Sequence, residues 1–141
     1  MATIEFKGIT EYQDMLEDLY LRSDGIIKPA VYDGAAVVIE EVKKQLRKVV
    51  SDKATGDLER STGLSEMEND SGYIHTKLGF EGYDRDHHPN VLKARALEYG
   101  TSKQRKRPFI RPAVNACKER AEIVMGETVE KQIKKIMDER G

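Results

Sequence analysis

Ile4 and Phe6 alternate with Thr3, Glu5 and Lys7, the two-residue period of a half-buried strand, and Gly8 closes it. Thr10 then offers an N-cap with Gln13 three residues on, a capping-box spacing. Behind it Tyr12, Met15, Leu16, Leu19 and Tyr20 recur three and four apart and predict a first helix, stopped by Ser23-Asp24-Gly25. Pro29 suits the first turn of a second helix, whose Val31, Ala35, Val38, Val42, Leu46 and Val49 form one stripe while Glu41, Lys44, Arg47 and Lys48 turn outward. Gly34, Ala35 and Ala36 make the first half of that helix thin, so another backbone can approach there, within the subunit or from a neighbour.

From Ser51 to Gly72 the chain turns polar and acidic, which reads as a loop and a weak strand. Asn69-Asp70-Ser71-Gly72 is a turn signal, and Ile74, Thr76, Leu78 and Phe80 alternate with Tyr73, His75 and Lys77 beyond it. A hairpin of residues 62–69 and 73–80 is predicted. Gly79, Gly82, Asp84, Asp86 and Pro89 mark a second loop, and Ala96-Leu97-Glu98-Tyr99 is either a short strand or a helix end. Pro112 opens a long helix with Val114, Cys117, Ala121, Val124, Met125, Val129, Ile133 and Ile136 on one face, and Glu127/Lys131 and Glu130/Lys134 as i,i+4 pairs on the other. The order β-α-α-β-β-(β)-α predicts one α+β domain over residues 1–141, a small antiparallel β-sheet packed against two N-terminal helices and one long C-terminal helix.

Composition sharpens this picture. With 38% hydrophobic residues, 6% aromatics, no Trp and 35% charged residues, the core rests on aliphatic side chains and is thin, a condition that oligomerisation often relieves. A net charge of −1, from 24 basic and 25 acidic residues, argues against a surface given over wholly to nucleic acid. Cys117 is the only cysteine, so no intrachain disulfide or paired-cysteine zinc knuckle can form, in keeping with a reducing compartment. The opening residues lack the basic stretch and apolar run of a signal peptide, and no stretch approaches the roughly 20 apolar residues of a membrane span. The expectation is a protein made in the cytosol with no membrane partner.

Candidate chemistry is concentrated in Asp84-Arg85-Asp86-His87-His88-Pro89-Asn90, an Asp-His-His cluster of the kind that ββα-metal endonucleases use to activate water beside a metal-bound phosphate. Such folds take further Asn and His ligands from a following helix. Here no His follows His88, and Asn115 lies far away. His75 belongs to the polar face of a strand. No Ser-His-Asp arrangement, P-loop or dinucleotide fingerprint is present, so neither catalytic residues, cofactor nor metal site is expected.

Charge is segregated late in the chain. Between Lys93 and Arg120 nine basic residues (Lys93, Arg95, Lys103, Arg105, Lys106, Arg107, Arg111, Lys118 and Arg120) face only Glu98 and Glu119. A sequence-independent phosphate contact needs nothing more. Without interleaved aromatics to stack bases, solvent or the acidic 57–70 segment of a neighbouring subunit is the more natural counterpart.

The same region carries a motif in two parts, Glu98-Tyr99-Gly100-Thr101 and, after a short loop, Pro108-Phe109-Ile110-Arg111-Pro112-Ala113. Upstream stands Thr55-Gly56-Asp57-Leu58-Glu59-Arg60-Ser61. With these segments and the strand–Gly8–helix opening, nearly the whole chain resembles the small head–tail joining and minor tail-component (tail-completion or neck) proteins of long-tailed bacteriophages and prophages. It departs from them at Lys53-Ala54, where that family often has Ala-Pro. The resemblance implies a structural virion protein, not an enzyme, that assembles in host cytoplasm and forms a homo-oligomeric ring in the neck or at the tail end around the DNA channel. Its partners would be itself, connector or head-closure proteins and tail proteins, with non-specific contact to channel DNA. Thr55, Gly56, Leu58, Ser61, Glu98, Tyr99, Gly100, Thr101, Pro108, Phe109, Arg111 and Pro112 would be the structural motif. In it Pro108 and Pro112 would fix the entry of the last helix, Phe109 would anchor it in the core, and Arg111 would make a polar contact at its start. Lys103, Arg105, Lys106 and Arg107 would lie on a loop facing a neighbour or the channel. The alternatives are a small metal-dependent nuclease using Asp86, His87 and His88, or a sequence-independent nucleic-acid-binding module using the basic loop.

Overall fold

Two long antiparallel helices carry everything else. The computed structural model describes residues 7–50 and 55–140. The expected opening strand falls on residues outside these, except that Lys7 and Gly8 are already helical. Helix α1, Lys7–Leu21, therefore begins before Thr10, and Thr10 and Gln13 are exposed positions within it, not a capping box. Arg22 alone separates α1 from α2, Ser23–Val49. Ser23-Asp24-Gly25 starts α2, where the sequence predicts a stop, because Asp24 places its charge at the positive end of the new helix. Pro29 consequently sits inside α2 and not in its first turn. The carbonyl that loses a helical partner is that of Gly25, which solvent reaches.

α2 runs against α5, Ile110–Arg140. The antiparallel sense follows from contacts in order along the pair: Arg22, just before α2, with Glu139 at 2.9 Å, then Asp33 with Thr128 at 2.7 Å and Glu41 with Arg120 at 3.5 Å. The thin half of α2 serves this packing within one subunit. A Cβ on Gly34 would lie 2.5 Å from Met125 Cγ and 3.6 Å from the carbonyl oxygen of Ala121. Glu41, expected to turn outward, is buried instead. It accepts Gln45 Nε2 at 3.0 Å and faces Arg120, and the Gln45 hydrogen bond is foremost in holding its carboxyl below the usual range.

The predicted hairpin forms, as a ribbon interrupted once. β1 (Thr62–Leu64) pairs antiparallel with β4 (Leu78–Phe80), and β2 (Glu68–Asp70) with β3 (Tyr73–His75). Leu64 pairs with Leu78 and Glu68 with His75, so the first strand holds one residue more than the second between the ladders, a bulge. Ser65 fills the gap, its hydroxyl accepting Lys77 N at 2.9 Å and its carbonyl accepting Thr76 Oγ1 at 2.7 Å. At the tip Asn69 Nδ2 donates to Asp24 Oδ1 at 2.7 Å, which lays the ribbon along α2 back toward its start.

One short helix was not foreseen, and a second was expected only as a possible helix end. Part of the acidic stretch, read as loop and weak strand, is α3, Asp57–Ser61, anchored by buried Leu58. Residues 96–99 end α4, Asn90–Tyr99, which removes the strand alternative and the third strand. The described order is thus α1-α2-α3-β1-β2-β3-β4-α4-α5, an α+β fold. Val42, Leu46, Leu58, Ala94, Leu97, Phe109 and Ala113 form the core where α2, α4 and the start of α5 converge. Phe80 meets Phe109 edge-on, centroids 5.8 Å apart. On α5 the buried stripe is Ala113, Cys117, Ala121 and Ile136. Val114, expected on it, is exposed, because the helix starts at Ile110 and its inner face begins one residue earlier.

Candidate functional site

The segment from Glu98 to Pro112 is built around one carboxylate. The start of an α-helix leaves four backbone N–H groups without helical acceptors. For α5 these belong to residues 109–112, since Ala113 N is the first to bond back, to Phe109 O at 3.2 Å. Glu98 Oε2 accepts Phe109 N and Ile110 N at 2.9 Å each, and Oε1 accepts Arg111 N at 3.1 Å. Pro112 has no N–H to satisfy. Every orphan donor is accounted for by one side chain and one proline. Burial pushes the Glu98 carboxyl up, but the three amides and the Arg111 charge outweigh it and hold it below the ordinary value.

The basic loop is tied back to the helix it leaves. Gly100, at φ +77°, ends α4, and its N–H donates to Ala96 O at 2.8 Å. A Cβ there would meet Lys106 N at 3.0 Å and Gln104 O at 3.2 Å. Thr101 N donates to Gln104 O at 2.9 Å, Thr101 Oγ1 accepts Lys103 N at 3.2 Å, and Arg107 N donates to Leu97 O at 2.7 Å. Of the four loop cations, Arg107 is spent internally, its guanidinium donating to Val49 O at the C-terminus of α2, 3.0 Å away. Lys103, Arg105 and Lys106 are exposed and form no ion pair among the described residues. Pro108 is half-buried, Phe109 fully buried, and Tyr99 76% exposed. Arg111 contributes its backbone amide to Glu98, while its side chain is exposed.

The upstream motif meets the same region. Gly56, at φ +81°, precedes α3, and Thr55 Oγ1 accepts Asp57 N at 3.4 Å. The carbonyl of Leu58 accepts Ser61 Oγ at 2.6 Å and Thr62 Oγ1 at 3.2 Å, ending the helix. Asp57 accepts the backbone amide of Arg85 and a bidentate pair from its guanidinium, 3.0 Å each, and also bonds Arg60. Arg85 foremost holds the Asp57 carboxyl far below the usual range. Arg47 Nε donates to Glu59 at 2.7 Å. Two of the five acidic residues of the 57–70 segment, which the sequence offered as a counterpart for a neighbouring subunit's basic loop, are therefore paired with arginines inside the chain. Between α2, α3, α4 and the basic loop lies a cleft of about 520 Å³, floored by Leu46, Leu58 and Leu97 and edged by Thr55, Gly56 and Arg107.

The Asp-His-His loop is organised by Asp84, which is buried. Its Oδ1 accepts the amides of Asp86 (2.9 Å) and His88 (2.8 Å), and Oδ2 accepts Lys93 Nζ at 3.0 Å. The His88 amide leads in bringing its carboxyl down to about 2. Asp86, His87 and His88 are exposed, with His87 at φ +64°. One set of three mutually close potential ligands occurs among the described residues, Glu68, Asp70 and His75, to which this loop contributes nothing. His75 is half-buried, bonded to Asp70 at 2.7 Å and stacked on Tyr73.

Glu98 and Asp57 stood in the sequence only as motif members. The role of Glu98 could have been sought from the absence of other acceptors near a Pro-x-x-x-Pro helix opening, whereas nothing near Asp57 in the sequence pointed to Arg85, 28 residues away. No family model, no curated protein and no solved structure matches this chain.

Proposed function

We propose that this chain is a structural assembly protein of the tailed-phage head–tail joining type, a subunit that oligomerises around a channel and performs no chemistry. The observation that carries the reading is the use made of the motif residues. Glu98 receives three backbone amides, Gly100 allows the loop to close, Phe109 fills the core, and Leu58 and Ser61 build α3. These are architectural tasks, consistent with a motif that specifies how one long helix is placed. Exposed apolar residues on α1 and α4, and Lys103, Arg105 and Lys106, which form no ion pair among the described residues, add support, because grouped exposed apolar surface marks contacts with other molecules.

The test is to measure the mass of the full chain by light scattering across concentration, alone and with connector and tail proteins, and to image any large species by electron microscopy. Closed rings, alone or on a partner, are expected. A chain that stays monomeric and joins neither class of partner would sink the reading. A second reading, a phosphate-binding module, draws on Lys103, Arg105 and Lys106. Its signature would be tight DNA binding that weakens steeply with salt.

A further inference from the structure

Two exposed surfaces of this chain complement each other and cannot meet within one copy. The first is on α1, where Tyr12, Leu16 and Tyr20 are 57%, 46% and 78% exposed and lie four residues apart, on one stripe. The neighbouring Met15 and Leu19 are half-buried instead. The stripe is set in acid: Glu11, Asp14 and Glu17 form no ion pair among the described residues, and Glu17 is the surface neighbour of Tyr20.

The second surface is on α4. Leu92, Arg95, Ala96 and Tyr99 follow helical spacing and edge a shallow groove closed by Gly100 and Thr101. Leu92 is 56% exposed, and Arg95, Lys103, Arg105 and Lys106 form no ion pair among the described residues. One surface is apolar and acidic, the other apolar and basic. Aromatic and arginine side chains are the types that dominate binding energy at interfaces.

Their places in the fold keep them apart. α1 is fastened at the far end of α5, through Asp18 to Arg140 at 3.1 Å, whereas α4 is fastened at its start through Glu98. The 31 residues of α5 separate the two fastening points by about 45 Å at 1.5 Å per residue. We infer that α1 of one copy docks on the α4 groove and basic loop of the next, a head-to-tail contact between different surfaces. Repetition of such a contact gives a ring if the rotation closes and a filament if it does not. Only the closure into a ring rests on the function proposed above.

The test uses the full chain and two variants at exposed positions, Leu16→Asp/Tyr20→Asp on α1 and Arg95→Glu/Tyr99→Asp on α4. Thermal melts near wild type establish that both fold. Each variant alone should lose self-association, its dissociation constant rising by at least about tenfold, in analytical ultracentrifugation. Mixed together they should form a heterodimer and nothing larger, because one intact α1 meets one intact α4 groove. Wild-type self-association that neither variant weakens overturns the contact and leaves the assembly reading standing. A wild-type chain that never self-associates also overturns the contact, and the assembly reading is then decided by its binding to connector and tail proteins. If the α4 variant keeps self-association but loses DNA binding, the groove and loop take a polyanion and the contact is overturned.

Discussion

The carboxylate of Glu98 accepts the backbone amide of Phe109 at 2.9 Å, and the ring of Phe109 is fully buried in the core. The residue that leads into the last helix is thereby held twice, by its backbone and by its side chain. Glu98→Ala should destabilise the fold by about 1–3 kcal/mol, since it removes a helix cap and leaves buried donors unpaired. Glu98→Gln, which keeps one acceptor oxygen, should cost less. Urea denaturation of both variants checks the order, and equal stability of Glu98→Ala and wild type would refute the capping role.

Acid should unfold the protein partly through Asp84. Its folded carboxyl lies at about 2, below the ordinary 3.8. A depressed carboxylate contributes stability that is complete above the unfolded value and is lost as pH falls through the folded one. Glu98 is shifted in the same direction. Stability should therefore fall between about pH 4 and pH 2, and Asp84→Asn should lower stability at neutral pH while flattening that slope. Thermal melts at a series of pH values measure it. An unchanged slope would mean that Asp84 does not drive the acid transition.

Gly100→Ala places a methyl group 3.0 Å from Lys106 N at a backbone angle, φ +77°, that side chains disfavour. The strain of such a position is about 1–3 kcal/mol. The expected result is a lower melting temperature without loss of folding. Gly72→Ala, at φ +95° but with open space around it, separates the backbone strain from the crowding.

The features legible in the sequence were those with a period or a turn. The long helices and the hairpin with its Ser71-Gly72 turn followed from spacing and from glycine and proline, while the burial of Phe109 was expected only from the resemblance. α3 was missed because a five-residue helix with one apolar anchor, Leu58, has no period to detect. α4 was half missed because its apolar residues serve two faces: Ala94 and Leu97 point inward, while Val91, Leu92 and Tyr99 face out. The boundary between α1 and α2 moved because Ser23-Asp24-Gly25 is as good a helix start as a stop. At the site, Lys103, Arg105, Lys106 and Arg107 read alike as charges. Only tertiary structure separates Arg107, which caps α2, from the other three.

Gly34 should tolerate nothing large. A Cβ there would lie 2.5 Å from Met125 Cγ and 2.6 Å from Sδ, both on a flexible side chain, and 3.6 Å from the Ala121 carbonyl oxygen. Gly34→Ala gains helix propensity of about 1 kcal/mol and forces Met125 aside, so its net effect should be small. Gly34→Val should cost about 1–3 kcal/mol by overpacking, and much of that cost should disappear in a Met125→Ala background. A double-mutant cycle reads the coupling. Additive effects would show that α5 does not approach α2 at this point.

Neutralising the loop should divide its cations into two kinds. Lys103→Gln, Arg105→Gln and Lys106→Gln together should change stability by no more than about 0.5 kcal/mol, as is usual for surface positions without partners. Arg107→Gln removes the hydrogen bond to Val49 O and should cost about 0.5–1.5 kcal/mol. In an assembly assay the order should reverse: the triple variant weakens association with a neighbour or with DNA, while Arg107→Gln acts only through stability. Because the two readouts move in opposite directions for the two sets of residues, one series of melts and sedimentation runs distinguishes a binding role from a folding role. A triple variant that assembles like wild type and binds DNA no less tightly would leave those three charges with solvent alone.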